Sequence, residues 1–285
     1  MIPQRIIQTG RTKDLSPSAK AAATNVKLLH PDWEYLFFDD EDIRRFISGE
    51  FPQYQRVFAE FRHPIQRIDF FRYLAVFRLG GFYFDLDVFL YKELSPLLDR
   101  DCVFPFEELS FNGYLDGHCD IDWEIGNYGF GAAAGHPFLE AVIENCVRAQ
   151  KEPGWAAPMM AGIPALFRAE FEVLSTTGPV LLTRTLAEKA GGGVTVLFPN
   201  DVCDAASWHL FGEYGVHLME GSWRMQGNPL RRRILCWWES RARRRALPES
   251  RRRGAKRILP GNGRDGREPN ADTMGLGCPM EFVER

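Results

Sequence analysis

Two aspartates, Asp85 and Asp87, stand among aromatic and aliphatic side chains in the segment GGFYFDLDVF that begins at Gly80. Carboxylates in apolar surroundings are costly unless a basic partner, a shared proton or a metal offsets their charge. Phe82, Phe84, Leu86, Val88 and Leu90 alternate with Tyr83, Asp85, Asp87, Phe89 and Tyr91. That is the period of two expected of a β-strand with one wholly apolar face. On such a strand both aspartates project the same way, with Cα atoms about 6.5 Å apart. No Lys or Arg lies within the strand to neutralise them. A hard divalent cation, Mn²⁺ or Mg²⁺, fits this chemistry, because oxygen ligands suit it and it keeps open positions for phosphate oxygens. A strand end whose aspartates cap the following turn is the alternative.

The preceding segment carries Arg67, Asp69 and Arg72 in an otherwise apolar run from Ile65 to Leu79. Pro64 marks its N-terminus, and Gly80-Gly81 ends it and opens the aspartate strand. A helix apolar almost all round is a buried one. Asp69 and Arg72, three residues apart, share one of its faces. They form either a structural ion pair or a functional one, with Arg72 holding Asp85 or a phosphate and Asp69 facing a polar ligand.

Around this pair of elements the chain alternates strands and helices. Strands are predicted at Arg5–Thr9, Trp33–Phe38, Cys102–Phe106 and Val194–Phe198. Helices are predicted over 18–29, from Asp39-Asp40 through Ile47, over 53–61, from Pro137 to about Arg148, and after Thr177-Gly178-Pro179. Asp116 to Asp122 reads as a polar loop. The Gly-rich stretch from Gly126 to Gly135 lacks the dinucleotide-loop spacing and reads as close packing against a helix. This order predicts an α/β fold with a mainly parallel central sheet.

The chain has 285 residues, 45% of them hydrophobic, and a net charge of −3. That balance hides a division: residues 230–285 carry a net +8 and residues 1–229 a net −11. The acidic body argues against a nucleic-acid partner. We expect a catalytic domain over 1–229 and a basic, partly disordered tail over 230–285. The tail clusters arginines at 231–233, 243–245 and 251–253 around Ile234, Leu235, Trp237 and Trp238. Tryptophan beside arginine suits an anionic bilayer surface; a last helix packing its tryptophans on the catalytic domain is the alternative. No apolar run reaches the length of a membrane span, and MIPQRIIQTG reads as no secretory signal. Six scattered cysteines read as reduced thiols. The expected location is cytoplasmic, peripheral at the inner face of the membrane.

The blocks IPQRIIQTG, HPDWEYLFFDDED and IQRIDFFRYLAVFRLGGFYFDLDV resemble glycosyltransferase family 32, whose hallmark is D-x-x-R-x-x-x-L followed by GG-x-Y-x-D-x-D. Asp69, Arg72, Gly80, Gly81, Tyr83, Asp85 and Asp87 carry the match, with Val76 at the consensus leucine position and Leu74 two residues before it. NYGFGAAAGHPFLEAVI, TTGP and HLMEGSW resemble downstream blocks, so the likeness covers roughly 2–223. It implies a GT-A (Rossmann-like) fold, a nucleotide-sugar donor (UDP- or GDP-linked), Mn²⁺ or Mg²⁺, and transfer of a hexose with retention. It implies a glycan or glycolipid acceptor, as in mannosyltransferases and capsular polysaccharide enzymes of this kind.

By position it implies that Asp85 and Asp87 hold the metal, that Asp69 bonds donor-sugar hydroxyls and that Arg72 orients Asp85. Tyr83, Asn127 and Trp223 fall among the donor contacts, and His217 is a further metal or diphosphate ligand. Gly10 stands where many members carry a tryptophan, which leaves the choice of nucleotide base open. Glu107, Glu108, Asp120 and Asp122 are the candidate nucleophiles. Two other readings compete: a haloacid-dehalogenase-like phosphatase, since FYFDLDVF resembles its nucleophile strand, and a non-catalytic nucleotide-sugar-binding protein.

Overall fold

The computed structural model describes residues 1–189, 193–219 and 233–242. The chain begins with strand β1 (Arg5–Thr9), helix α1 (Pro17–Leu29) and strand β2 (Glu34–Phe38). Helices α2 (Asp40–Glu50), α3 (Gln55–Glu60) and α4 (Pro64–Leu79) then lead into β3 (Gly81–Phe84) and β4 (Val88–Leu90). Strands β5 (Cys102–Leu109), β6 (Trp123–Ile125) and β7 (Gly129–Ala132) follow. Helices α5 (Pro137–Lys151), α6 (Pro153–Ala156), α7 (Arg168–Thr176) and α8 (Pro179–Glu188) come next. Strands β8 (Val194–Leu197), β9 (Leu210–Phe211) and β10 (Gly215–His217) complete the strand order.

Seven strands form the central sheet in the order β2-β1-β3-β7-β5, with β6 and β8 both pairing with β5. Strands β1, β2 and β3 are parallel, as are β5 and β8, whereas β6 and β7 run against their neighbours. The sheet is therefore mainly parallel, the α/β arrangement expected from the sequence. The path from β1 leaves through α1 to β2 on one side and returns through α2–α4 to β3 on the other. The carboxyl ends of β1 and β3 thus flank a topological switch point, the place where open α/β sheets bind ligands.

Helix α4 is the wall behind that point. Pro64 starts it, His63 and Gln66 close a reciprocal capping box, and Gly80 ends it in the left-handed region at φ 66°. Phe70, Phe71, Tyr73, Leu74, Ala75 and Val76 are all fully buried, each large apolar side chain contributing about 1.5–3 kcal/mol. A Cβ on Gly81 would come within 2.7 Å of the Arg5 carbonyl oxygen, so only glycine lets β3 emerge from the helix directly beside β1.

The structure corrects three expectations. The run from Phe82 to Tyr91 is not one strand: β3 stays in the central sheet, and β4 belongs to a separate three-stranded sheet, β4-β10-β9. Between them Asp85-Leu86-Asp87 form a turn in which Val88 N–H donates to Asp85 O at 3.2 Å. The alternation persists because both short strands have an apolar inner face, and a turn of this length keeps the phase. Second, Gly129 and Gly131 lie in β7, against the rings of Phe84 and Phe82 rather than against a helix. The polar stretch 116–122 begins within a π-helical turn, Leu115–Cys119, rather than an open loop.

The helix over 233–242 lays Leu235 and Trp238 against Phe167 and Phe171, with Trp238 5.6 Å from the Phe111 and Phe171 rings. Trp237, by contrast, is 57% exposed. Residues 231–232 and 243–285, with most of the arginine clusters, lie outside the described residues. Among the described residues, no helix is long and apolar enough to cross a membrane.

Candidate active site

The site is built from the end of β3 and the buried face of α4. Asp69 and Arg72 are each 3% exposed. One guanidinium nitrogen of Arg72, Nη1, donates to Asp85 Oδ2 at 3.2 Å and to the Asn127 carbonyl at 2.7 Å. The other, Nη2, lies 3.3 Å from Asp69 Oδ1. The ion pair expected on α4 is thus one arm of a three-residue network, in which Arg72 also reaches Asp85. The planar, permanently charged guanidinium suits this forked duty.

Each carboxylate has further donors. Tyr83 Oη donates to Asp85 Oδ1 at 2.7 Å and is shared with Thr9 Oγ1 at 3.0 Å. Thr177 Oγ1 donates to Asp69 Oδ2 at 2.8 Å, and Asn127 Nδ2 donates to Asp69 Oδ1 at 3.1 Å. Asn127 also reaches Tyr73 Oη at 3.1 Å. Tyr83 is fully buried with the Arg72 guanidinium 4.7 Å from its ring centre, so it acts through Asp85. The sequence did not single out Thr9 or Thr177, because a hydroxyl contributed from a distant element leaves no spacing to read, nor Tyr73, which sits on α4 itself within its apolar run.

Burial sets the electrostatics. It pushes the Asp69 carboxyl up to about 6, with Arg72 and the Thr177 hydrogen bond opposing. Burial likewise raises Asp85, again against the pull of Arg72. For Arg72 burial works against the charge, but Asp85 and the neighbouring acids outweigh it, and its pKa rises above the ordinary value. The three-residue network therefore carries desolvated charge that its partners only partly compensate.

Asp87 and His217 lie on the other side of the turn. Leu218 N–H donates to Asp87 O at 2.9 Å, which ties the end of β10 to the aspartate turn. His217 Nε2 stands 3.3 Å from Asp87 Oδ2, and its ring stacks on Tyr128 at 4.3 Å. Burial disfavours the imidazolium, but the hydrogen bond and charge of Asp87 prevail and the His217 pKa rises. Ligand atoms of Asp85, Asp87 and His217 all lie within 4.8 Å of one another. Two carboxylates and one imidazole, converging from a turn and a neighbouring strand, fit a divalent cation with open positions.

Of the other acids singled out from sequence, Glu107 stays beside the site: it meets His209 at 3.2 Å and its carboxylate lies within 4.8 Å of a His217 ring nitrogen. Glu108 lies opposite Glu124 across the β5–β6 ladder. Asp120 is exposed and left-handed at φ 55°, and Asp122 is buried. Trp223 lies outside the described residues. Tyr128, His209 and the His217–Asp87 contact went unread as a group, since β5, β9 and β10 bring them together from across the chain.

Residues 17–104 match the family described as the glycosyltransferase sugar-binding region containing the DXD motif. The chain is 34% identical over 147 residues to inositol phosphoceramide mannosyltransferase 3 of Schizosaccharomyces pombe, covering 52% of this chain and 38% of that protein. It is 28% identical over 183 residues to mannosyl phosphorylinositol ceramide synthase SUR1 of Saccharomyces cerevisiae, covering 64% and 41% respectively. A solved structure, PaToxG glycosyltransferase, superposes with a TM-score of 0.46 at 16% identity over 66% of this chain and 70% of that one. The chain thus spans about two fifths of the length of these curated relatives. The matched region holds Asp69, Arg72, Asp85 and Asp87, and over it the chain is similar to the DXD-containing glycosyltransferases.

Proposed function

We propose that the chain is a divalent-cation-dependent glycosyltransferase that moves a hexose, with retention of configuration, from a nucleotide-diphosphate sugar to a glycan or glycolipid acceptor. The observation that carries this reading is the convergence of Asp85, Asp87 and His217 at the carboxyl end of β3, backed by the buried Asp69–Arg72–Asp85 network. The donor set favours Mn²⁺ over Mg²⁺, because an imidazole suits a transition metal better than a hard alkaline-earth ion. When bound, such a cation neutralises the charge that develops on the departing nucleoside diphosphate.

The chain's own residues fix the geometry for that event. Arg72 and Tyr83 hold both oxygens of Asp85, so its remaining lone pairs keep one direction. Asp69 and Arg72 together grip Asn127 by its side-chain amide and its carbonyl, which sets the wall of the sugar pocket. In this reading Asp69 serves the donor-sugar hydroxyls from the same carboxylate. The relatives' names, which specify mannosyl transfer to inositol phosphoceramide, favour mannose as the hexose and a glycolipid as the acceptor. A glycolipid acceptor would give the exposed Trp237 and the tail arginines a use at an anionic membrane surface. The phosphatase reading fares worse, because both oxygens of its would-be nucleophile, Asp85, are engaged.

The test is a panel of UDP- and GDP-linked sugars with Mn²⁺, with Mg²⁺ and with chelator, each with and without a glycolipid acceptor. Release of nucleoside diphosphate that needs the cation, with transfer to the acceptor, is the expected result. Binding without turnover would replace the reading with the non-catalytic one, and release of inorganic phosphate from a sugar phosphate would replace it with the phosphatase.

A further inference from the structure

A second cluster of metal-ligating side chains adjoins the first and shares one residue with it. Ligand atoms of Glu107, His209 and His217 lie within 4.8 Å of one another. These residues come from β5, the residue before β9, and the end of β10, and their backbones are laced together. His209 N–H donates to Glu107 O at 3.2 Å, and His217 N–H donates to His209 O at 3.0 Å. Side chain meets side chain as well, with His209 Nδ1 3.2 Å from Glu107 Oε1.

Three further observations set this cluster apart from a surface contact. His209 holds φ at 61°, a left-handed backbone uncommon outside glycine though less so for His than for most residues. A side chain at position 126 would collide with Glu107 Oε2 and come within 2.6 Å of the Tyr128 ring, so Gly126 leaves room for both. Among the described residues, His217 Nδ1 is buried with no hydrogen-bond partner, and so is the hydroxyl of Tyr128, a residue 2% exposed whose ring covers His217. Buried unpaired polar atoms call for an explanation, and a bound ion is one.

We propose that Glu107, His209 and His217 form a second cation site, for a borderline-soft ion of the Zn²⁺ class, whose occupation excludes the cation at Asp85 and Asp87. Two imidazoles and one carboxylate are a Zn²⁺ donor set, with a fourth position left for water. The exclusion follows from His217. A neutral imidazole has one lone pair, so the same ring cannot serve both clusters at once. With Zn²⁺ on one ring nitrogen of His217 the other carries the proton, so the donor-side cation keeps two carboxylates only.

The exclusion rests on the proposed role of His217 in the donor site; the second site itself does not. The full chain, freed of metal, is titrated with Zn²⁺ against a chromophoric chelator and with Mn²⁺ by the electron paramagnetic resonance of the free ion. Loss even of a group that only supports a metal ligand lowers affinity by about 10–100-fold, which sets the lower bound of the expected result. His209→Asn, which tolerates a left-handed backbone, and Glu107→Gln should each weaken Zn²⁺ by about tenfold or more and leave Mn²⁺ within about twofold. Asp87→Ala should do the reverse, and Zn²⁺ should displace Mn²⁺ from the wild type. Unchanged Zn²⁺ affinity in His209→Asn would mean that Zn²⁺ uses the aspartate site and would overturn the proposal. Zn²⁺ and Mn²⁺ bound together by the wild type would overturn it as well, even where neither variant folds. Asp87→Ala that retains Mn²⁺ strikes the donor-site reading instead, a different outcome from either.

Discussion

Arg72 Nη1 lies 3.2 Å from Asp85 Oδ2, and this contact joins the buried face of α4 to the turn that presents both aspartates. The pair is asymmetric in exposure, with the arginine side chain at 3% and the aspartate at 27%. The helix therefore supplies a fixed, dry anchor, while the carboxylate keeps an open side toward the site. Position, more than net attraction, is what the contact provides, since desolvation offsets much of the Coulomb energy of buried pairs.

Removing the anchor should cost both stability and activity. Arg72→Ala leaves Asp69 and Asp85 facing each other without their shared cation, and breaking a buried pair typically costs about 3–5 kcal/mol. Urea unfolding of the variant should show a loss of this order, and transfer should be undetectable. A loss below about 1 kcal/mol would show that the network is solvated and that its burial has been misjudged.

Tyr83→Phe separates the positioning of Asp85 from its charge. The variant keeps the ring under Arg72 and removes the hydroxyl shared by Asp85 and Thr9. Loss of such a buried hydrogen bond costs about 1–3 kcal/mol. Asp85 then turns more freely, so Mn²⁺ should bind more weakly by about tenfold, as read by isothermal titration. Unchanged Mn²⁺ affinity in a stable Tyr83→Phe would remove the tyrosine from the site.

Stability should depend on pH through Asp69. Its carboxyl, pushed up to about 6 by burial, titrates above its unfolded value of about 3.9. A group raised on folding contributes stability that is fully present below the unfolded pKa and lost as pH rises through the folded one. Between pH 4 and pH 7 the wild type should lose about 2–3 kcal/mol relative to Asp69→Asn. Asp85, also raised by burial, works in the same direction. Parallel stability curves for the two proteins across that range would contradict the assignment.

The membrane expectation can be tested on the exposed tryptophan. Trp238 is packed against Phe111, Phe167 and Phe171, whereas Trp237 projects outward with the Arg241 guanidinium 5.8 Å from its ring centre. Truncation after Pro229 would therefore uncover an apolar face as well as remove the tail. Trp237→Ala avoids this, and it should weaken co-sedimentation with anionic vesicles while leaving the melting temperature in place. Equal sedimentation of the two proteins would take Trp237 out of any membrane contact.

The sequence foretold some of this arrangement because the relevant residues are close along the chain. Asp69, Arg72, Gly80, Gly81, Asp85 and Asp87 fall within 19 residues. Their helix and strand could be read from an apolar run, a proline and a pair of glycines. The continuous strand predicted through Asp85 and Asp87 failed for an identifiable reason. Alternation reports which face is buried, and it is blind to a turn that hands the chain from one sheet to another. Thr177 and Thr9 reach the network, and Asn127 reaches Tyr73, across more than 50 residues, and the Glu107–His209 contact spans 102. Such contacts are set by tertiary packing, and no local spacing encodes them.

The central claim is that Asp87 and its neighbours hold a cation that donor chemistry requires. The most direct measurement compares wild type with Asp87→Ala for Mn²⁺-dependent release of nucleoside diphosphate from the preferred nucleotide sugar, with thermal unfolding in parallel. The account predicts that chelator abolishes release by the wild type and that Mn²⁺ restores it. Asp87→Ala should unfold at the wild-type temperature without metal, gain no stability from Mn²⁺ and release nothing. Full activity of the wild type in excess chelator, or an active Asp87→Ala, would contradict it.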